Sequence, residues 1–406
     1  MPTAPAYCHC LLLLPSAYYL LAGTTRLELA NQLIEGQPAF HFAFIPRNFA
    51  ITISSWLRLE PIPKKTPGVP MKIEPLVFLL SVACAAVING QQVRIGSIEY
   101  FGTKQVAVEK VKSSLPVHEG DMLEFDKFPD LIPELRNAVK IAIGHEATDV
   151  ATGCCDANGN WFIYIGLPGK NVQSFHPSPA PRGTIQFPSE IEKLYQQFLD
   201  LNMEAVKAHA IEDRTKGYAL STYPSLRTNQ LAVREYATRN LLLIRKVLSE
   251  SAAPEQRRVA AHFLGYTNYS RVQIELLVKA SRDQDETVRN NAVRALGVLA
   301  ESNPAIAQQI PARDFIFMLN SGNWSDRNKG CYLLSTLTIP RDPKVLQLIR
   351  KLASDSLVEM AHWRDYNHAH TSRVLLGRIA GIEEKKLQQL AHDDGDAIIL
   401  AFKSAR

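Results

Sequence analysis

The sequence lacks the cysteine pattern that staples a small secreted domain. Its six cysteines are Cys8, Cys10, Cys84, Cys154, Cys155 and Cys331, with no second C-x-C or C-x-x-C pair to complete a disulfide framework or a zinc site. Cys154 and Cys155 are adjacent, and sequence neighbours rarely bridge each other, so these thiols are read as buried or partly paired. A surplus of one charge is also missing. The 45 basic and 40 acidic side chains leave a net charge of +5, too balanced for a dedicated nucleic-acid binder. There is no nucleophile elbow, P-loop, dinucleotide fingerprint or zinc-protease helix. Gly166-Leu167-Pro168-Gly169-Lys170 lacks the glycine spacing and the hydroxyl after lysine that a phosphate loop needs, and reads as a strand-ending turn. These absences point away from an enzyme and from any cofactor or small-molecule substrate. What remains is an ordinary globular composition, 46% hydrophobic and 21% charged, long enough for two or three domains.

Residues 1–70 do not read as a domain. Their apolar runs are broken at Pro15, Ser16, Pro46 and Arg47, well short of the roughly 20 residues of a membrane helix. Gly23 to Ala30 looks like a phrase from a spuriously translated reading frame, so the segment is expected to be unstructured or mistranslated. A better start lies at Met71-Lys72. The uncharged run from Pro75 to Ile88 and the polar Asn89-Gly90-Gln91-Gln92 follow it, the layout of a signal peptide over 71–90. A periplasmic or secreted location is expected. Cys84 offers a lipid anchor, although Ser81 stands where such motifs prefer Leu or Val.

Over 91–170 the periodicity is that of a small α/β unit. Val93 and Ile95, then Ile98 and Tyr100 in opposite phase, make a strand bulged at Gly96. Val108, Val111 and Leu115 make a short helix. Leu131, Leu135, Ala138, Val139 and Ala142 make a second, capped by Asp130 and ended by Gly144. Ala147–Cys155 and Trp161–Leu167 are strands, joined through a two-residue Asn158-Gly159 hairpin turn. With Val93–Gly102, Val106–Leu115 and Val117-His118-Glu119-Gly120-Asp121 in place, the segment resembles a POTRA domain, the polypeptide-transport-associated module. That resemblance implies an extracytoplasmic module that either docks client chains on an open sheet edge or merely caps its neighbour. Residues 171–188, rich in proline, form a semi-rigid linker.

From 189 to 406 the pattern is helical and, past Pro254, repeated. In Asp285–Leu299 the residues Val288, Ala292, Ala295, Leu296 and Leu299 form one apolar face. Arg257, Ala260, Leu264 and Gly265 align with Arg289, Ala292, Leu296 and Gly297, and Arg327, Gly330 and Leu334 follow in a later copy. Leu376-Gly377 marks a degenerate fourth. This Asp, Val-Arg, Ala, Ala-Leu-Gly phrase is similar to the first helix of HEAT repeats. It implies an armadillo-like α-α superhelix whose stacked pairs present a broad open face to another protein. Asp285 and Arg289 read as capping and bridging groups. The fold class is therefore a HEAT-like solenoid preceded by a β-α-α-β-β POTRA-like module, and the function a protein-binding scaffold. Arg257, Arg289, Arg327, Trp324, Trp363 and Tyr366 are the candidate partner contacts. Two alternatives stay open: a metal-dependent enzyme in which His362, His368 and His370 converge in a loop, and a nucleic-acid binder with a basic face.

Overall fold

The computed structural model describes residues 92–156 and 158–405; the extension 1–70, the expected signal peptide over 71–90 and Cys84 lie outside them. The chain begins with β1 (Gln92–Phe101), α1 (Val108–Lys112), β2 (Met122–Glu124), α2 (Phe128–Ile143), β3 (Asp149–Cys154) and β4 (Trp161–Gly166). The sheet order is β2-β1-β4-β3, with β4 parallel to β1 and antiparallel to β3. The register slips between Ile95 and Ser97, which is the bulge expected at Gly96. Ile95, Ile163 and Ile165 pack on Leu135 and Val139 of α2 to form a core of their own. The other sheet face, with Phe101, Ala151, Phe162 and Tyr164, joins the core of the helices that follow.

Three local expectations change here. Helix α2 starts at Phe128, so Asp130 lies in its first turn and Lys127 stands at the cap. The last β3–β4 pair is Cys154 with Trp161, so the connection is longer than a two-residue turn. Asp156 organises it by accepting the N–H groups of Asn158 and Asn160, both at 2.8 Å. Cys154 and Cys155 are joined by a disulfide at the end of β3.

The rest is a helical stack: α3 (Ser189–Lys207), the small hairpin β5 (Glu212–Asp213) and β6 (Leu220–Ser221), then α4 (Pro224–Arg239), α5 (Leu241–Glu250), α6 (Pro254–Leu264), α7 (Arg271–Ala280), α8 (Glu286–Ser302), α9 (Pro304–Ala307), a 3₁₀ segment (Ala312–Asn320), α10 (Trp324–Leu337), α11 (Pro343–Ala361), α12 (Tyr366–Ile379), α13 (Glu384–Asp393) and α14 (Gly395–Ser404). Helices α6, α8, α10 and α12 lie side by side as a first layer. Helices α5, α7, the 3₁₀ segment and α11 pack behind them. This is the architecture of a helical-repeat stack. Small residues set the layer spacing. A Cβ on Gly297 would stand 2.2 Å from the Tyr332 ring, so only glycine lets α8 and α10 approach this closely.

The proline-rich linker is bound at one point in each of three successive loops. The N–H groups of Gln173, Ser178 and Gly183 donate to the carbonyls of Asn320 (2.9 Å), Arg282 (2.7 Å) and Glu250 (2.8 Å). The strap thus runs back along the stack, from α10 toward α6, and Gly183 is needed because a Cβ there would sit 2.6 Å from the Glu250 oxygen. The consequence is closure. The α/β module, placed first in the sequence, packs on α10–α12 near the end of the stack, and the described residues from Gln92 onward form one compact unit.

Candidate functional site

The three repeated arginines are inside the molecule. Arg257 donates to Asp283 (2.7 and 2.8 Å) and to the carbonyls of Ser251 and Ala252. Arg289 donates to Asp326 (2.8 and 3.0 Å) and to the carbonyls of Asp283 and Gln284. Arg327 donates to Glu359 (3.0 Å) and to the carbonyl of Ser321. Each fork thus pins the loop before its own helix and reaches the acid of the next repeat. Glu359 also accepts the N–H groups of Gly102 (3.0 Å) and Thr103 (2.7 Å), so the last rung ties the stack to the loop after β1. Candidate partner contacts at these positions are corrected: all three guanidinium groups are buried, with every nitrogen of Arg257 and Arg289 bonded and all but Nη2 of Arg327, so none is presented at the surface. Asp285 caps Val288 (3.0 Å) and pairs with Arg258.

The aromatic and histidine segment is likewise interior. Trp324 and Trp363 are each 2% exposed. Tyr164 lies against both, with ring centroids at 4.8 and 5.0 Å. His362 ends α11, exposed, while His368 and His370 stand on α12 rather than in a loop. Asp365 caps that helix by accepting the His368 N–H at 3.1 Å. The His368 ring makes a 2.6 Å hydrogen bond with the Tyr164 hydroxyl under the sheet, and His370 pairs with the half-buried Tyr366 at 2.9 Å. Two residues apart on a helix, the imidazoles face different neighbours and do not converge. Burial pushes both rings below the usual histidine range, His370 to about 4 with Arg373 adding to the effect. Among the described residues no group of three or more His, Cys, Asp or Glu is placed to hold a metal ion. Burial pushes the free Cys331 thiol up to about 12, far from a reactive thiolate.

The broad open face expected of the stack is largely covered by the chain itself. Helix α3 lays Phe198 on His262 (4.1 Å) and receives a 3.0 Å bond from Asn291 at Tyr195. The β5–β6 hairpin sets Glu212 on Arg294 and Arg214 on Glu301 (3.2 Å) and the Tyr332 hydroxyl (3.3 Å). The sheet covers Trp324 and His368. Where these elements stop, a cleft of about 300 Å³ opens between α8, α10 and α12. Pro304, Ile339, Pro340 and Val374 line it, with Tyr332, Thr371 and Gln388 as polar neighbours. Arg378 forms a fixed wall, clamped by Glu384 (2.8 Å) and Thr338 (2.9 Å).

A second concavity, of about 470 Å³, lies at the junction of module and stack. It follows the edge of β1 at Ile98–Tyr100 and is bounded by Lys112, Glu119 and Arg364. Sequence reasoning missed both sites. The cleft depends on where the covering segments stop, and the junction brings together residues 245 positions apart.

No protein-family model matches the chain, and no curated protein matches it. Among solved structures, an engineered protein is 15% identical with a TM-score of 0.32, covering 53% of this chain and 94% of that one. A designed armadillo repeat protein in complex with the peptide (KR)4 is 14% identical at 0.31, covering 53% and 98%. Computationally designed armadillo repeat proteins for modular peptide recognition give 14% at 0.32, with the same coverages.

Proposed function

We propose that this chain is an exported, non-catalytic scaffold that binds a partner protein by taking an apolar side chain of it into the cleft between α8, α10 and α12. The cleft itself carries the reading. It lies on the first-layer face at the place where the chain's own covering elements end, and its apolar wall includes Ile339, 61% exposed to water. A concave apolar site with a few hydrogen-bonding neighbours suits an anchor residue of a peptide. The arginine clamps, present in three successive repeats, support the HEAT-like assignment. The observed order is strand, helix, short strand, helix, strand, strand; it departs from the expected one by β2 and otherwise supports a POTRA-like module. Since all six residues of its outer strand β3 are buried, that edge of the module serves to close the stack.

Random dodecapeptides displayed on phage and selected on the full chain test the cleft. The selected peptides share an apolar anchor, and Ile339→Asp weakens them about tenfold or more. Leu242→Asp, at a still more exposed site on α5, leaves binding unchanged. Peptides indifferent to Ile339→Asp would remove the cleft from the reading. Export rests on the Met71–Gln92 layout. Fusing residues 71–95 to alkaline phosphatase in a Gram-negative host checks it: active enzyme is expected, and an inactive cytoplasmic fusion refutes export.

A further inference from the structure

The junction groove is a site of different chemistry. Strand β2 ends opposite Arg94, and the bonds of Ile95 with Gly120 and Asp121 extend the pairing by one residue. Beyond that point the edge of β1 turns toward the groove. The Ile98 N–H donates to Glu119 Oε1 at 3.0 Å, so it points away from β4. By the two-residue alternation of a strand, the Ile98 carbonyl and the Tyr100 N–H point the same way. The Tyr100 carbonyl obeys this rule, accepting Trp363 Nε1 from the stack at 3.3 Å.

Arg364 faces that edge across the groove. Its N–H and its Nε both hold Glu99 Oε1, at 3.1 and 3.0 Å, which fixes the guanidinium in place. The fork that is left grips Glu119, through Nη1 at 2.7 Å and a short contact from Nη2. One carboxylate therefore sits between a guanidinium fork and a strand-edge N–H, an arrangement complementary to any carboxylate. Glu119 lies on the irregular segment between α1 and β2, and its side chain is 41% exposed. At this exposure water reaches the pair, so Glu119 is replaceable by another carboxylate. Glu99, only 11% exposed, is not.

We propose that this groove binds the C-terminal carboxylate of an extended peptide, and that Glu119 is the internal occupant the peptide displaces. The peptide runs antiparallel to β1: its carboxylate takes the Arg364 fork and the Ile98 N–H, the N–H of the same terminal residue donates to the Ile98 carbonyl, and the carbonyl two residues earlier accepts the Tyr100 N–H. Releasing Glu119 removes one negative charge from a groove lined by Glu99, Glu119, Lys112 and Arg364, so an incoming carboxylate restores the balance.

Fluorescence anisotropy with the full chain and a labelled Thr-Val-Thr-Val-Thr-Val peptide tests this. The free acid is expected to bind and its C-terminal amide to bind at least about tenfold more weakly. Glu119→Gln, which keeps the shape and removes the competing charge, should tighten the free acid several-fold. Arg364→Gln should abolish the difference between acid and amide, while both variants retain the wild-type melting curve within a few degrees. Ile339→Asp should have no effect, which separates this site from the cleft. Equal binding of acid and amide, no gain in Glu119→Gln, or no binding by either protein would overturn the proposal.

Discussion

Asp326 and Asp149 are buried to a similar degree, 2% and 6% exposed, the first between two repeats and the second between sheet and stack. Asp326 meets two nitrogens of Arg289 at 2.8 and 3.0 Å and the Ser321 hydroxyl at 2.8 Å. Asp149 accepts the Trp324 N–H at 2.8 Å and has only the Arg136 guanidinium at 3.6 Å. Burial, with Glu286 nearby, pushes its carboxyl up to about 7. A repeated helix pair brings the same guanidinium to the same place in three successive layers, so each acid is buried with a counter-charge. The joint between unlike parts has no such repeat. There the cost of desolvation falls on the protonation state instead.

The sharpest way to break this comparison is Arg289→Ala. It strands Asp326 in the interior, and orphaning a buried partner costs about 3–5 kcal/mol. Urea unfolding should show that loss. Arg239 and Glu235 are 74% and 61% exposed, and Arg239→Ala should move the same curve by less than about 0.5 kcal/mol. Replacing both buried partners, Arg289→Met with Asp326→Leu, should recover most of the stability, since the clamp's worth lies mainly in not being half-broken. An Arg289→Ala loss no larger than that of Arg239→Ala would mean the rungs carry no weight.

The period of the stack was legible because Ala260, Ala292 and Gly330 recur against Leu264, Leu296 and Leu334. The same rows held the clue to the arginines. Arg257, Ala260 and Leu264 stand at i, i+3 and i+7, as do Arg289, Ala292 and Leu296, so each arginine belongs to the buried stripe. Reading them as surface groups followed charge rather than phase. Their acids were not legible, because Asp283, Asp326 and Glu359 follow at 26, 37 and 32 residues, with no fixed spacing. The loop in which His368 and His370 would converge stayed open as an alternative because Asp365 was not recognised as the cap that starts α12. Strand β2 is three residues long and carries no alternation. The strap, the covering hairpin and the junction groove depend on contacts between distant segments, which no local pattern encodes.

The smaller effect is expected at Asp149, and it has a sign. Its folded-state carboxyl lies near 7, above the ordinary value of 3.8. A group raised on folding gives stability that is fully present below its unfolded value and lost as pH rises through the folded one. From pH 5 to pH 8 the wild type should therefore lose about 2 kcal/mol through this residue. Burial lowers His262, His368 and His370, which work the other way. Their stability is present above about 6.5 and lost as pH falls toward their folded values. Asp149→Asn separates the two. An amide oxygen still accepts the Trp324 N–H but never ionises, so the variant should gain on the wild type by about 2 kcal/mol between pH 5 and pH 8, read from urea midpoints at each pH. What is left in the variant is the histidine arm, rising from acid toward neutral. Parallel pH profiles for the two proteins would show that Asp149 is as well matched as Asp326, and that the joint is built like the ladder after all.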